Sequence, residues 1–365
     1  MTSIVLAGGG TAGHTSPLIA TAKALQQLEP DVRLVSIGTA KGLETRVIPA
    51  AGLELALITP VPLPRRPGME LLKLPWRLTK SVREARAVLR RAGAQALVGF
   101  GGYVSIPAYL AARTMRVPVV VHEANKLAGI SNRIGARFAA FTAITFRETE
   151  LPGSTLIGMP MSSTITHPSV DKVEARRRFG LDPQRPTLLV SGGSQGAVRI
   201  NEAVLGALDE ILGAGVQVLH VLGPKNFSED SAVVEHASGA RYLPVAFVED
   251  MAVAYAAADL MVARAGAATV METAVSGLPV VFVPLPWGNG EQARNAAELV
   301  AADAGVMLPE SQLSAGTLAA SVVPLVTDSA RLARMSDDAR RQYPADAAEN
   351  LARAVLEAAR TKEAK

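Results

Sequence analysis

The sequence predicts two doubly wound α/β domains, and three observations carry that prediction. The chain has 365 residues, more than one hydrophobic core ordinarily serves. A strand, a glycine loop, a helix and a second strand occur in that order near the start and again near the middle. Each half then carries a later strand, turn, helix and strand of its own.

The first strand reads Ser3-Ile-Val-Leu-Ala7 and runs into Gly8-Gly-Gly-Thr-Ala-Gly13. A helix is expected from about Ser16, with Pro17 in its first turn, where a missing N–H costs nothing. Leu18, Ala22, Leu25 and Leu28 form its apolar stripe, and Val32–Ile37 is the next strand. Later in this half, Ala96–Gly99 leads through Gly101-Gly-Tyr-Val104 into a helix and the strand Val117–Val121. In the second half Thr187–Ser191 is a buried-strand run, followed by Gly192-Gly-Ser-Gln-Gly-Ala197, a helix from about Asn201 and the strand Val216–Val221. Asp259–Ala263 then leads through Ala265-Gly266 into a helix through Glu272 and the strand Pro279–Val283. The linker is expected near Gly158–Pro168, and the Ala-rich tail, about Ala345–Arg360, as a helix returning to the first domain. The domains are therefore expected at 1–160, with the tail helix at about 343–365, and at 161–342.

Composition narrows the chemistry. With no cysteine, disulfides, thiolate metal sites and cysteine nucleophiles are excluded. The five histidines (14, 122, 167, 220 and 236) show no metal-binding spacing, so no metal and no other cofactor is expected. The apolar start Ile4–Ala7 is too short for a secretion signal. Gly99, Gly101, Gly102 and Pro107 interrupt one long uncharged run, and Pro279, Pro284 and Pro286 another, so neither reads as a membrane span. A cytoplasmic protein attached to a surface is expected. The formal charge of +4 suits anionic partners: phosphates, acidic lipid or nucleic acid.

A glycine loop between strand and helix presents backbone N–H groups to phosphate; its alternative is tight helix–sheet packing without a ligand. Gly8, Gly10 and Gly13 match the dinucleotide fingerprint, but the second strand ends without the acid that a nicotinamide cofactor needs. His14 follows this loop, as a general base or as a residue holding the loop by hydrogen bonds. Glu272, in a mostly uncharged stretch, suits the two hydroxyls of a ribose, against the alternative of a solvated helix charge. Asn289, Glu291 and Gln292 suit sugar hydroxyls or a helix N-terminus. Between Pro62 and Arg91, Arg65, Arg66, Lys73, Arg77, Lys80, Arg83, Arg86, Arg90 and Arg91 face only two acids, Glu70 and Glu84. A helix is expected from Trp76, its stripe Leu78, Val82, Ala85 and Leu89, preceded by a proline-punctuated loop bearing Leu63, Met69, Leu71, Leu72 and Leu74. That pattern suits an anionic membrane surface, or a helix with a solvated basic face. Nucleic acid fits poorly, because Trp76 is its one aromatic.

Six motifs in order, Gly8–His14, Gly101–Val104, His122-Glu-Ala-Asn125, Gly192–Ala197, Ala265–Glu272 and Glu291-Gln292, resemble the MurG family of bacterial peptidoglycan N-acetylglucosaminyltransferases over nearly the whole chain. The resemblance implies a GT-B fold, two Rossmann-like domains facing a cleft. It implies metal-independent, inverting transfer of N-acetylglucosamine from its UDP donor to the 4-hydroxyl of an undecaprenyl-pyrophosphoryl-muramyl-pentapeptide. It also implies a peripheral location at the cytoplasmic face of the cell membrane, docked through residues 62–91.

By the same likeness the second domain holds the donor. Ser194 and Gln195 would meet its diphosphate, Val248 the uracil and Glu272 the ribose, with Ala267, Ala268, Thr269, Val270 and Met271 alongside. Gln292, Glu291 and Asn125 would hold the sugar. Thr11, Ala12 and Gly13 would lie near the donor sugar and the acceptor diphosphate, His14 would be the base, and Gly101, Gly102 and Tyr103 would face the acceptor. Three positions depart from the family's pattern: Ser162 in place of an Arg, Glu291 in place of a Gln, and Ala124 in place of a Gln. Arg199 or Arg264 is the expected compensation for the missing Arg. The rival readings are a UDP-N-acetylglucosamine 2-epimerase or other GT-B enzyme, and a non-catalytic scaffold that binds UDP-sugar.

Overall fold

The computed structural model describes residues 1–62, 69–228, 231–287 and 290–363. The chain forms two compact units, Met1–Ser162 with Asp346–Lys365, and Ser163–Ala345.

The first unit is built on β1 (Ser3–Gly8), β2 (Arg33–Gly38), β3 (Glu54–Leu57), β4 (Ala96–Gly101), β5 (Val119–Glu123), β6 (Phe141–Ile144) and β7 (Ser154–Leu156). They pair in parallel in the order β3-β2-β1-β4-β5-β6-β7. The connecting helices are α1 (Ala12–Leu28), α2 (Glu44–Ala50), α3 (Met69–Ala92), α4 (Ser105–Thr114) and α5 (Ile130–Ala136). Alternation along β1 shows how the layers form. Ile4 and Leu6 join a core with Leu18 and Leu25 of α1, whereas Val5 and Ala7 join another with Leu89 of α3 and Tyr109 of α4. A strand buried on both faces needs an unbroken apolar run, and Ile4–Ala7 supplies it.

The second unit repeats the plan with β8 (Thr187–Ser191), β9 (Gln217–Val221), β10 (Val234–Glu235), β11 (Arg241–Val245), β12 (Leu260–Ala263), β13 (Val280–Phe282) and β14 (Gly305–Met307). Their order is β10-β11-β9-β8-β12-β13-β14, parallel except for β10 against β11. Its helices are α6 (Ser163–Thr166), α7 (Lys172–Arg178), α8 (Val198–Gly206), α9 (Leu208–Gly213), α10 (Met251–Ala257), α11 (Ala267–Ser276), α12 (Glu291–Ala301), α13 (Ala315–Val326) and α14 (Ser329–Gln342). The chain then returns to the first unit as α15 (Ala347–Glu363). There Leu351, Val355 and Ala359 pack into the core beside Leu18, and the Lys362 ammonium donates to the Ala94 carbonyl at 2.6 Å.

Three helices start earlier than their sequences suggest. Thr11, extended at φ −136° and ψ 161°, precedes α1, and the first i→i+4 bond runs from the Thr15 N–H to the Thr11 carbonyl at 3.2 Å. His14 therefore lies inside the first helical turn, and Pro17 lies beyond that turn. The helix α8 begins at Val198, not at Asn201. The helix α3 begins at Met69 and not at Trp76, so Met69, Leu71, Leu72 and Leu74 lie on a helix and not in a loop. Leu63, Arg65 and Arg66 lie outside the described residues, as does Asn289. Among the described residues no helix is long and apolar enough to cross a membrane.

Candidate active site

Among the parallel strands of each sheet the order reverses once, between β1 and β4 and between β8 and β12. Such a reversal opens a crevice beyond the carboxyl ends of the two strands, because their connections leave in opposite directions. Gly9–Thr11 follows β1, the turn after β4 holds Gly102 and Tyr103, Gly192–Ala197 follows β8, and Arg264–Gly266 follows β12. The fold thus delivers the glycine motifs to the two places where ligands can approach.

In the first unit His14 Nδ1 lies 3.0 Å from the Gly9 carbonyl oxygen and 3.2 Å from Thr11 Oγ1. A carbonyl only accepts, so the imidazole carries its proton on Nδ1 toward Gly9. Gly101 and Gly102 adopt φ of +98° and +88°. A Cβ on Gly102 would sit 2.5 Å from the Gly9 oxygen, so only glycine lets this turn close onto the first loop. Tyr103, next in the turn, is exposed. Thr11 is exposed and Gly13 half-buried, and the backbone of Ala12 opens α1.

The acid absent from the end of the second strand has a counterpart that spacing did not reveal. Glu44, fully buried, accepts from the Gly10 N–H at 2.8 Å and from the N–H and hydroxyl of Thr39 at 2.8 and 2.9 Å. Burial opposes its ionisation, but these donors together with its own backbone N–H outweigh burial and hold its carboxyl below the ordinary range.

The His122–Asn125 motif is largely internal. The His122 Nε2–H donates to the Gly158 carbonyl at 3.0 Å, and burial pushes this imidazole down to about 4, so it stays neutral. The buried Glu123 accepts from the N–H groups of Asn125 and Gly129 and from the Asn132 amide, each at 2.9 Å. Burial nevertheless dominates and raises its pKa. Asn125 itself is half-buried, and Ala124 is enclosed.

In the second unit Ser194 and Gln195 are exposed at the tip of the glycine loop. The base of that loop is fixed: a Cβ on Gly196, at φ +75°, would lie 2.1 Å from the Leu222 oxygen. The helices α8 and α11 start after Ala197 and Gly266 without a side-chain cap, as α1 does after Thr11. By contrast Asp171, Asp250, Ser314 and Asp328 cap α7, α10, α13 and α14. Uncapped first-turn N–H groups at a strand-order reversal are the donors an anion needs.

On α11, Ala268, Thr269 and Glu272 are half-buried, but Ala267, Val270 and Met271 are enclosed, so Val270 and Met271 present no side-chain surface to a ligand. Glu272 Oε2 accepts from the Tyr255 hydroxyl of α10 at 2.7 Å. Burial raises the Glu272 pKa and the Tyr255 hydrogen bond opposes that shift; burial and the facing carboxylate push Tyr255 well above its usual value. Tyr255 is the residue that sequence reading missed here.

Gln292 is committed in part. Its Oε1 accepts from the N–H of Ala265 at 3.2 Å and of Leu285 at 3.0 Å, which fixes the amide so that Nε2 is the group it can offer a sugar. Glu291 opens α12, where its negative charge suits the helix dipole. Val248 is enclosed between β11 and α10, while its neighbour Phe247 is exposed, as is Trp287. The expectation that Arg264 replaces a missing phosphate contact fails. Its guanidinium is buried, donates to the Val283 carbonyl at 3.0 Å and pairs with Glu310. Arg199, exposed in the first turn of α8, pairs only loosely with Glu202 at 3.8 Å. Among the described residues no cluster of His, Asp and Glu could hold a metal ion.

Residues 4–144 match the glycosyltransferase family 28 N-terminal domain, and residues 187–351 match its C-terminal domain. A protein of Cutibacterium acnes named UDP-N-acetylglucosamine–N-acetylmuramyl-(pentapeptide) pyrophosphoryl-undecaprenol N-acetylglucosamine transferase is 53% identical, over 98% of each chain. The protein of that name from Mycobacterium avium is 48% identical, over 98% of this chain and 89% of its own. Among solved structures, Acinetobacter baumannii MurG superposes with a TM-score of 0.78 at 27% identity, covering 98% of this chain and all of that one. The calicheamicin glycosyltransferase CalG4 shares the fold at a TM-score of 0.69 and 17% identity, over 98% of each chain.

Proposed function

The chain belongs to glycosyltransferase family 28, and we infer from this membership and from the site that it transfers N-acetylglucosamine from UDP-N-acetylglucosamine to a lipid-linked acceptor in peptidoglycan synthesis. The acceptor is the pyrophosphoryl-undecaprenol-linked N-acetylmuramyl-pentapeptide, and the fold is GT-B. The observation that carries the reading is near-full-length identity of about half to relatives named for this reaction, with four of the six motifs, those after β1, β4, β8 and β12, at a strand-order reversal.

In this reading the second unit binds the donor. The exposed tip of the second glycine loop, with the uncapped starts of α8 and α11, receives the diphosphate. Glu272, oriented by Tyr255 through Oε2, keeps its other oxygen for the ribose hydroxyls. Val248 and Phe247 form the uracil end, and the Nε2 of Gln292, with Glu291 and Asn125, holds the sugar. The first unit serves the acceptor through Gly101–Tyr103, with Thr11, Ala12 and Gly13 beside the acceptor diphosphate and donor sugar.

His14 is the base in this scheme. With its proton on Nδ1, Nε2 takes the proton of the muramyl 4-hydroxyl. The freed oxygen forms a bond to the anomeric carbon as the bond to UDP breaks on the opposite face, which inverts that carbon. The electron pair leaves on UDP, whose charge the N–H groups of the second loop stabilise.

The surface reading rests on α3. From Lys73 to Lys80 no residue is buried, and Trp76 is 78% exposed; from Ser81 onward Ala85, Val88, Leu89 and Ala92 are buried. The helix thus packs by its second half and presents Trp76 with Lys73, Lys80 and Arg83 on its outer face, while Leu74 and Leu78, half-buried, continue the stripe of Ala85 and Leu89. Such a surface suits the anionic leaflet at the cytoplasmic face of the cell membrane, each cation adding about 1 kcal/mol. No observation favours the epimerase or scaffold readings. The test is transfer of labelled N-acetylglucosamine to the muramyl-pentapeptide lipid in the presence of EDTA. Product establishes the reaction; binding of UDP-N-acetylglucosamine without product would replace it with the scaffold reading.

A further inference from the structure

Glu44 and His14 grip opposite ends of one peptide group. The Gly10 N–H donates to Glu44 Oε2 at 2.8 Å, and the Gly9 carbonyl accepts from His14 Nδ1 at 3.0 Å. That C=O and that N–H belong to the same Gly9–Gly10 peptide, which is trans like all the others described. In a trans peptide the two point in opposite directions. Carboxylate, peptide and imidazole therefore form one hydrogen-bonded line.

The surroundings are built for this arrangement. A Cβ on Gly9 would lie 2.5 Å from Glu44 Oε1, one on Gly38 2.5 Å from Cγ, and one on Gly42 1.9 Å from Oε2. Three glycines thus make room for one carboxylate that has no exposed surface. Thr39 holds its second oxygen through N–H and hydroxyl, so Oε2 stays aimed at Gly10. A cap for α2 does not account for this, since no side chain caps that helix and Glu44 reaches out of it to the first loop.

We propose that Glu44 is a positioning residue for transfer, acting on His14 through the Gly9–Gly10 peptide. The carboxylate polarises the N–H, which makes the Gly9 carbonyl a stronger acceptor. That carbonyl keeps the imidazole proton on Nδ1, leaves the basic lone pair on Nε2, and stabilises the imidazolium as it forms. A carboxylate does the same for histidine by direct contact in hydrolase triads and metal sites; here one peptide group stands between. Thr11 Oγ1, at 3.2 Å from Nδ1, is a second and weaker acceptor for the same N–H.

The inference rests on the reading of His14 as the base, and the experiment separates the two. Steady-state transfer is measured for wild type, His14→Ala, Glu44→Gln and the double variant. Glu44→Gln is expected to lower kcat about 10- to 100-fold, the usual cost of losing a partner that orients a catalytic histidine, with donor KM within ~3-fold. In the His14→Ala background the same substitution should cost less than ~3-fold, because the group it positions is gone. An equal loss in both backgrounds makes Glu44 a structural residue only and overturns the proposal. If His14→Ala alone keeps nearly full turnover, the base reading falls and the relay falls with it, before Glu44 is touched. Should Glu44→Gln fail to fold, the 15N spectrum of the wild-type histidines decides. Nδ1–H at His14 is the expected tautomer, and Nε2–H overturns the proposal.

Discussion

The two glycine loops begin with the same residue pattern at the same topological position, yet they are finished differently. The first loop carries its own anion: Glu44 reaches back from α2 and takes the Gly10 N–H. The second is braced by neutral groups, with the Gly196 N–H on the Gly193 carbonyl at 2.9 Å, the Gly193 N–H on Ser191 Oγ at 3.3 Å and the Asn226 amide on the Gln195 carbonyl at 3.5 Å. A glycine loop with an internal carboxylate organises a side chain, here His14. One without it offers its N–H groups outward, here toward a diphosphate. The motif alone does not separate these uses; the nearest buried charge does.

The largest effect expected is on His14. His14→Ala should lower kcat by a factor of about 10² to 10⁴, the range for losing a general base, while donor KM changes little. Turnover within a few-fold of wild type would erase the difference between the loops. Next come the paired glycines. Gly102→Ala forces a Cβ against the Gly9 oxygen at φ +88° and should lower kcat about 10-fold, since strain of about 1–3 kcal/mol falls on the acceptor of the His14 proton. Gly196→Ala, at φ +75° against the Leu222 oxygen, should instead raise donor KM. The opposite split between kcat and KM would reverse the assignment of the loops. Smaller again is Tyr255→Phe, which deletes one hydrogen bond to Glu272 and should raise donor KM about 5- to 10-fold, with kcat nearly unchanged. An unchanged KM would remove Glu272 from the ribose.

The smallest effect concerns stability and acid. His220 donates from Nε2 to Asn201 at 3.1 Å and accepts from the Tyr242 hydroxyl at 3.1 Å, and burial lowers it to about 3. Its folded pKa lies below the unfolded 6.5, so as pH falls through 6.5 the unfolded chain binds the proton first and stability drops, until about 3. His122, lowered to about 4, adds the same trend, while the raised Glu123 and Glu272 oppose it. His220→Gln should therefore flatten the fall of melting temperature between pH 7 and pH 5; an unchanged slope would contradict the neutral, doubly bonded imidazole.

The four central strands of each sheet, β2, β1, β4 and β5 and then β9, β8, β12 and β13, were legible as buried apolar runs, whereas the flanking β3, β6, β7, β10, β11 and β14 were not, since most are short and partly exposed and carry no unbroken apolar run. The start of α1 was not legible. Pro17 looked like a first-turn residue, but extended Thr11 lets the helix begin at Ala12 and carries His14 into it. Glu44 lies 34 positions from Gly10, on a seven-residue helix with no motif, so only folding brings it to the loop. Tyr255 likewise sits in the Ala-rich α10, 17 positions from Glu272, with nothing local to mark it. Gln292 was legible as a site residue, but not that its oxygen is spent on two backbone N–H groups. Arg264 looked available because its ion-pair partner, Glu310, is distant in sequence.

The measurement that tests the division of labour most directly is an amide NMR titration of the full chain with UDP. The account predicts that the N–H signals of Gly192–Ala197 and of Ala267–Thr269 move with UDP, while that of Gly10, held by Glu44, does not. Movement of Gly10 with the second loop silent would contradict it.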